Sequence, residues 1–243
     1  MYSSLLTAIF LFLSVNIFAQ EGQFFDAPFG GGIGYVPAWY IPNLDPINSE
    51  MLEAGIPELS TGGFYSSGIA GFIYIGFIKS LRLGGMGFGG SLSSSQTINN
   101  LNYEVDYKLE GGGFSVEYTL PFIKNIGVSI GAVIGGGNLE LNTYRNDGQF
   151  SWNGIWEEFS NPDSTTENYS RMLQNSFWMF TPTINIDYPI YRFVSLRIGA
   201  GYQLTFGDEW TVDNDQAVSN VPSDLNGDSF FIQSGIFLGF FSY

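Results

Sequence analysis

Residues 194–206 read Val-Ser-Leu-Arg-Ile-Gly-Ala-Gly-Tyr-Gln-Leu-Thr-Phe, and this stretch decides the fold. Every second residue from Val194 to Phe206 is apolar, and the residues between them are Ser, Arg, Gly, Gln and Thr. A period of two places these two sets on opposite faces of a β-strand. The alternation therefore predicts a strand with an apolar outer face and a polar inner face, as in the wall of a membrane barrel.

Seven further stretches carry similar patterns, at residues 30–40, 66–77, 81–94, 103–120, 126–134, 178–188 and 229–241. Within 103–120 the apolar set moves from odd to even positions at Gly111-Gly112-Gly113, which predicts a β-bulge there. The pattern predicts eight strands, an even number that places both chain ends on one side. Strand extensions in the loops would raise the count to ten.

The connections between these strands differ strongly in length. Three are short and carry one base each, namely Lys79, Lys124 and Arg192, whereas residues 41–65, 144–173 and 207–228 form long connections that hold 15 of the 23 acids. Short turns on one side and long loops on the other are typical of an outer-membrane barrel. We therefore expect an all-β, closed, antiparallel up-and-down transmembrane β-barrel with short periplasmic turns. A soluble β-sandwich would show similar alternation and stays an alternative.

The two ends of the chain support an envelope location. Residues 1–20 have an apolar stretch and end Ile-Phe-Ala-Gln, which predicts a signal peptide cleaved near Ala19 or Gln20, although the stretch carries no base. An uncleaved anchor is the alternative. Residues 21–243 would then form a single barrel domain.

At the other end, Phe241 and Tyr243 are alternate aromatic residues, with Leu238 where such strands usually carry Gly. This ending resembles the terminal strand that the barrel-assembly machinery recognises. The whole layout resembles the small outer-membrane barrels of the OmpA, OmpX and OmpW kind. That resemblance implies the fold, outer-membrane lipid as a partner, and both termini in the periplasm of a Gram-negative bacterium.

The composition excludes several kinds of function. The chain has no Cys and no His and a formal net charge of −15. Without imidazole or thiol it lacks the usual general base and the usual strong nucleophile, so we expect no enzymatic activity. The negative charge also argues against binding nucleic acid.

Strand parity places several charged residues in the lumen, and these are Arg82, Lys108, Glu117, Asp187 and Arg197. Buried charges must pair or stay hydrated, so Arg197 is expected to bind Asp187 or Glu117. An eight-stranded barrel is just wide enough to be filled by side chains. Many other lumen positions are Gly, however, and these leave room for a narrow path for small or apolar solutes. The sequence is therefore compatible with a filled core and with a passive channel.

Residues 45–55 carry the marks of a short helix, with Asp45 and Pro46 at its start and Gly55 after its end. Ile47, Met51 and Leu52 lie on one side at helical spacing. This helix is expected to pack on the barrel rim, or else to enter the mouth as a plug.

The connection 144–173 is rich in aromatic residues, among them Trp152, Trp156, Phe159 and Tyr169. Aromatic side chains on an exposed loop suggest recognition of a surface ligand or protein. A small β-hairpin that extends the wall, with its tryptophans at the interface, is the simpler interpretation.

Asp224, Asn226 and Asp228 match the first ligands of a calcium loop, but Ser229 and Gly235 occupy positions that need Gly and Glu. A different oxygen site for Ca²⁺, completed by Asp213, Asp215 or Glu209, is the alternative, and an Asx-rich turn is the default.

Overall fold

The computed structural model describes residues 29–121, 126–160, 168–191, 193–207 and 209–242. The predicted signal peptide, the turn bases Lys124 and Arg192 and the terminal Tyr243 lie outside these residues.

The described elements are strands apart from two short helices. In chain order they are β1 Phe29–Tyr35, β2 Ala38–Pro42, α1 Asp45–Glu53, β3 Phe64–Tyr74, β4 Leu81–Ile98, β5 Leu101–Thr119, β6 Gly127–Asn146, α2 Trp152–Ser160, β7 Tyr169–Tyr191, β8 Val194–Phe206, β9 Trp210–Val212, β10 Gln216–Ala217 and β11 Ser229–Ser242. Neither helix is long and apolar enough to cross a membrane, in the part of the chain described.

The strands close into a ring of eight. Each strand from β3 to β7 pairs antiparallel with the next, and β8 pairs with β11. β1 and β2 together form one broken strand, since each of them pairs with both β11 and β3. Val36 and Pro37 separate the two halves, where proline has no N–H to give to a ladder. The predicted eight-stranded, closed, antiparallel barrel is therefore confirmed.

The outer face of the ring is an apolar band. Along β7 the exposed residues from Trp178 to Tyr188 alternate with buried ones, and β8 alternates in the same way. Exposed aromatic residues border the band on both sides, as expected where a barrel meets the two membrane interfaces. They are Trp39, Tyr65, Trp178, Tyr202 and Phe206 toward the end with long loops, and Tyr118, Tyr188, Phe193 and Phe240 toward the end with short turns.

The middle strands are much longer than the sequence pattern predicted. β6 runs to Asn146, whereas its apolar alternation ended at Ile134, and β7 begins at Tyr169. Ten residues of strand beyond Gly136 correspond to about 30 Å. The wall therefore continues well past the apolar band, and residues assigned to the connection 144–173 are in part strand.

The predicted bulge at Gly111–Gly113 is wrong. The registers of β5 against β4 and against β6 run through these glycines without a shift. Odd-numbered residues of β5 face inward throughout, from Val105 to Thr119. The apolar face changes because the environment changes: lipid surrounds the wall on one side of the glycines, and water surrounds its extension on the other side. Apolar side chains then face the interior.

Glycines from three neighbouring strands meet at this boundary. Gly87 lies opposite Gly112, and Gly112 lies opposite Gly136. Gly113 lies opposite Gly135, and both belong to the inward-facing set. We call Gly87, Gly111–Gly113 and Gly135–Gly137 the glycine patch. A Cβ at Gly135 would overlap the carbonyl oxygen of Gly112 and lie 2.5 Å from the Cα of Gly113, so the two backbones approach more closely than other residues allow.

Candidate functional site

The interior at the end with short turns holds two guanidinium groups and two carboxylates. Arg82 lies opposite Glu117 on the neighbouring strand, and Arg197 lies opposite Asp187. All four side chains are buried and at most 8% exposed. The formal charges cancel within the group, which we call the ion network, and this balance allows it to stay buried.

The hydrogen bonds of the ion network cross the barrel. Arg197 donates from Nε and Nη2 to Asp187, at 2.7 and 3.0 Å, and from Nη1 and Nη2 to Glu117, at 2.9 and 3.0 Å. Arg82 donates from Nη1 to Asp187 Oδ2 at 2.6 Å and, at 3.5 Å, to Glu117. Bidentate contacts of this kind are the strongest geometry that arginine offers to carboxylates.

Aromatic rings enclose the same two arginines. The Arg82 Cζ lies 4.8 Å from the centre of the Phe72 ring and 5.0 Å from that of Tyr74. The Arg197 Cζ lies 4.7 Å from the centre of Phe237. These rings add cation–π attraction to the ion pairs and remove water from the space around them. The sequence interpretation missed them, although strand parity alone would have placed them inside.

Four of the five charged residues predicted for the lumen are therefore brought together, and Lys108 is not. Lys108 lies on the outward face of β5, beyond the apolar band, and its Nζ is 3.1 Å from the Glu110 carboxylate. Both side chains of that pair are nearly half exposed. The error follows from the predicted bulge, which would have exchanged the two faces of the strand.

Apolar side chains fill the interior beyond the ion network. Tyr40 stacks between Phe88 and Phe231, with ring centres 5.0 and 4.9 Å apart. The core continues through buried residues of β5, β6 and β7, which are Val105, Tyr107, Leu109, Val133, Leu139, Leu141, Phe177 and Met179.

Several lumen glycines make room for these side chains. A Cβ at Gly201 would lie 2.6 Å from the ring of Phe231, and one at Gly34 would lie 2.7 Å from the ring of Phe237. At Gly199 it would overlap the side-chain oxygen of Asn185. Between the ion network and the apolar core, an enclosed cavity of about 20 Å³ borders Glu117, Arg197 and Gln233. That volume suits about one water molecule.

The first helix and the residue before it pack against the apolar core of the barrel. Leu44, Ile47 and Met51 are buried and belong to the same apolar core as the wall residues. Asn48 holds the connection in place, because its Nδ2 donates to the Leu59 carbonyl at 3.0 Å and its Oδ1 accepts the Leu59 N–H at 2.8 Å. The helix was predicted, and its buried side chains pack on the apolar core of the barrel.

The second helix lies in the connection between β6 and β7, where a β-hairpin was the simpler expectation. Ser151 begins it, since its Oγ accepts the Gly154 N–H at 3.0 Å. No side chain of α2 is buried. Its apolar residues Trp152, Ile155, Trp156 and Phe159 share one face, and the three rings are 74, 53 and 82% exposed. We call these four residues the aromatic stripe.

The rings of the aromatic stripe contact one another edge to face. Trp152 and Trp156 have centres 5.8 Å apart at 73°, and Trp156 and Phe159 have centres 6.1 Å apart at 89°. Tyr169, predicted as part of the same surface, lies instead at the start of β7, with Arg145 and Arg171 over its ring at 5.8 and 5.1 Å.

Three of the residues considered for Ca²⁺ have structural partners in the described chain. Asp213 accepts the Met172 N–H and pairs with Arg171 at 3.3 Å. Asp228 accepts two hydrogen bonds from Thr205, each at 2.7 Å, and Asn226 accepts the Asp228 N–H. Asp215 occupies a turn with positive φ, and Asp224 is exposed. Among the described residues, no three acids lie close enough to hold a metal ion.

A closed eight-stranded ring with an apolar outer band and aromatic borders defines a small outer-membrane β-barrel. The chain is similar in structure to solved members of this class. A major outer membrane protein from Thermus thermophilus is 10% identical with a TM-score of 0.48, over 86% of this chain and 99% of that one.

Ail, the attachment invasion locus protein of Yersinia pestis, solved with the heparin analogue sucrose octasulfate, is 9% identical with a TM-score of 0.46, over 87% of this chain and 99% of that one. The Neisserial surface protein A is 13% identical with a TM-score of 0.40, over 90% and 99%. No protein-family model and no curated protein matches the sequence.

Proposed function

We propose that this chain is a non-enzymatic outer-membrane protein that acts through surface contacts at its end with long loops. The observation that carries the proposal is the contrast between the two candidate sites. The interior is packed with paired charges and aromatic rings, whereas the aromatic stripe has no buried side chain. Exposed aromatic groups on a loop held by a rigid wall are typical of recognition surfaces.

The proposed orientation places the long loops outside the cell and both termini in the periplasm of a Gram-negative bacterium. Short turns face the periplasm in barrels of this class. The acids of the long loops support the same orientation, because they keep the outer surface soluble. We further propose that a signal peptide at residues 1–20 directs export, and that the barrel-assembly machinery inserts the chain through its last strand, which closes the ring against β1.

The lack of an enzymatic role is proposed from the chemistry of the available groups. The chain has no His or Cys. The buried carboxylates Glu117 and Asp187 both accept hydrogen bonds from Arg197, so their oxygens are engaged by the guanidinium group and are not presented to a substrate.

A passive channel for small or apolar solutes was the second candidate, and the filled interior argues against it. Reconstituted into planar bilayers, the refolded protein is expected to insert without giving stable conductance steps, because the ion network and the apolar core occupy the lumen. Single-channel recording is the measurement. Reproducible steps that change on Arg197→Ala would contradict the proposal and restore the channel.

The contact role predicts that residues 150–160 are needed for adhesion and not for insertion. Bacteria that display the wild-type protein, and bacteria that display a variant with these residues replaced by a short Gly-Ser linker, would be counted on three coated surfaces. The surfaces carry a cationic amphipathic peptide, an anionic peptide of matched length, and heparin. The replacement should leave the amount of folded barrel unchanged and abolish binding to at least one surface. If adhesion to every surface is the same for both strains, the contact role is wrong.

A further inference from the structure

We infer that the aromatic stripe is a docking surface for a cationic amphipathic segment of a polypeptide, one that presents Lys or Arg beside apolar side chains. This inference rests on the proposed contact function and names its partner. The first support is the charge of the surrounding chain. The described residues 146–160 hold Asp147, Glu157 and Glu158, and no Lys or Arg.

The neighbouring wall is acidic on balance. It carries two arginines at the ends of the connection, Arg145 and Arg171, which lie over the Tyr169 ring, and Arg171 also pairs with Asp213. Glu104 and Asp106 project outward on β5, and Glu140 lies opposite Lys108 on β6. Lys108 is already paired with Glu110. A cationic partner would therefore approach down a favourable potential, and an anionic partner would be repelled.

The ring geometry selects among partners that aromatic residues can bind. A flat sugar needs a ring face that is open over its whole area. The Trp156 ring instead stands nearly perpendicular to the rings of Trp152 and Phe159, so the surface has several small ring faces with gaps between them. Apolar side chains fit into these gaps, and an ammonium or guanidinium group fits over a single indole face.

Three other occupants are less compatible with the observations. Anionic lipid headgroups and polyanions such as heparin meet like charge. A second copy of this chain would bring two acidic segments together. The membrane is also less compatible, because β6 carries the start of the connection about 30 Å along the strand beyond the apolar band. A basic polypeptide segment is the occupant that satisfies the charge, the apolar stripe and the position.

The test uses the protein in nanodiscs of uncharged phosphatidylcholine, with empty nanodiscs as the blank. Isothermal titration calorimetry would measure binding of a synthetic amphipathic Lys/Leu helix and of its Glu/Leu counterpart. The Lys/Leu peptide should bind and the Glu/Leu peptide should not. Trp156→Ala should weaken binding about tenfold, since it removes both apolar contact and a cation–π face. Trp156→Phe should restore most of the affinity.

Two further variants separate charge from packing. The double substitution Glu157→Gln/Glu158→Gln should weaken binding about threefold and reduce its dependence on salt. Asn153→Ala lies on the same helix outside the stripe and should change nothing. The inference fails if the Lys/Leu peptide does not bind, if Trp156→Ala binds as tightly as wild type, or if both peptides bind equally. If adhesion still requires residues 150–160 on a different surface, the contact function survives and only the cationic partner is wrong.

Discussion

Asp187→Ala is expected to destabilise the folded barrel by about 3–5 kcal/mol, because it leaves two buried guanidinium groups to share one carboxylate. Asp187 accepts hydrogen bonds from Arg197 at 2.7 and 3.0 Å and from Arg82 at 2.6 Å. Without it the network carries an uncompensated positive charge in a water-poor interior. Urea unfolding in lipid vesicles, followed by the mobility shift of folded barrel in unheated gels, measures the loss.

The matched control removes an ion pair that lies on the outside of the same wall. Lys108→Met breaks the 3.1 Å contact with Glu110, whose side chain is 48% exposed. Exposed pairs contribute at most about 1 kcal/mol, so this variant should unfold almost as wild type does. Equal losses for the two variants would mean that burial does not govern the strength of these pairs, and the assignment of the ion network as the stabilising centre would be wrong.

The sequence was sufficient to predict the ring, since a period of two is a local property. It was also sufficient to place the four residues of the ion network on the inner face of the wall. Arg82 and Glu117 face each other across neighbouring strands, as do Asp187 and Arg197, and their parity could be counted along each strand. These features depend on alternation alone, which the chain carries without reference to distant contacts.

Lys108 could not be placed correctly because the apolar face of β5 exchanges sides without any shift of register. Val105 and Tyr107 face inward, as Glu117 does, although their chemistry is opposite. Where lipid surrounds the wall the outer face is apolar, and where water surrounds it the inner face is apolar. A bulge and a change of environment give the same pattern, and only the pairing of the strands distinguishes them.

The two helices show a second limit of prediction from the sequence. α1 was predicted from its capping residues, but whether it lies on the rim or in the mouth depends on the side chains below it, such as Tyr40 and Phe88. For α2 the sequence does carry a helical signal, which the expectation of a β-hairpin did not take into account. The helical spacing is that of Trp152, Ile155, Trp156 and Phe159.

Gly135→Ala is expected to prevent folding, or to cost more than about 3 kcal/mol, because a methyl group there has no space to enter. Its Cβ would meet the backbone of Gly112 and Gly113 on the next strand. A backbone cannot give way as the end of a flexible side chain can, so the wall would have to separate between β5 and β6. Refolding yield by the gel shift, with far-ultraviolet circular dichroism, measures the effect.

Gly87→Ala provides the control within the same glycine patch. Its Cβ would point outward, and the nearest atom, the carbonyl oxygen of Gly111, would be 3.8 Å away. The substitution adds a methyl group to the outer surface and should leave the yield unchanged. If both variants fold, the close approach of the β5 and β6 backbones is not required for folding. The exchange of the apolar face on β5 then does not depend on that close approach. If only Gly87→Ala folds, the glycines that face inward are what allow β5 and β6 to pass from lipid to water in one unbroken register.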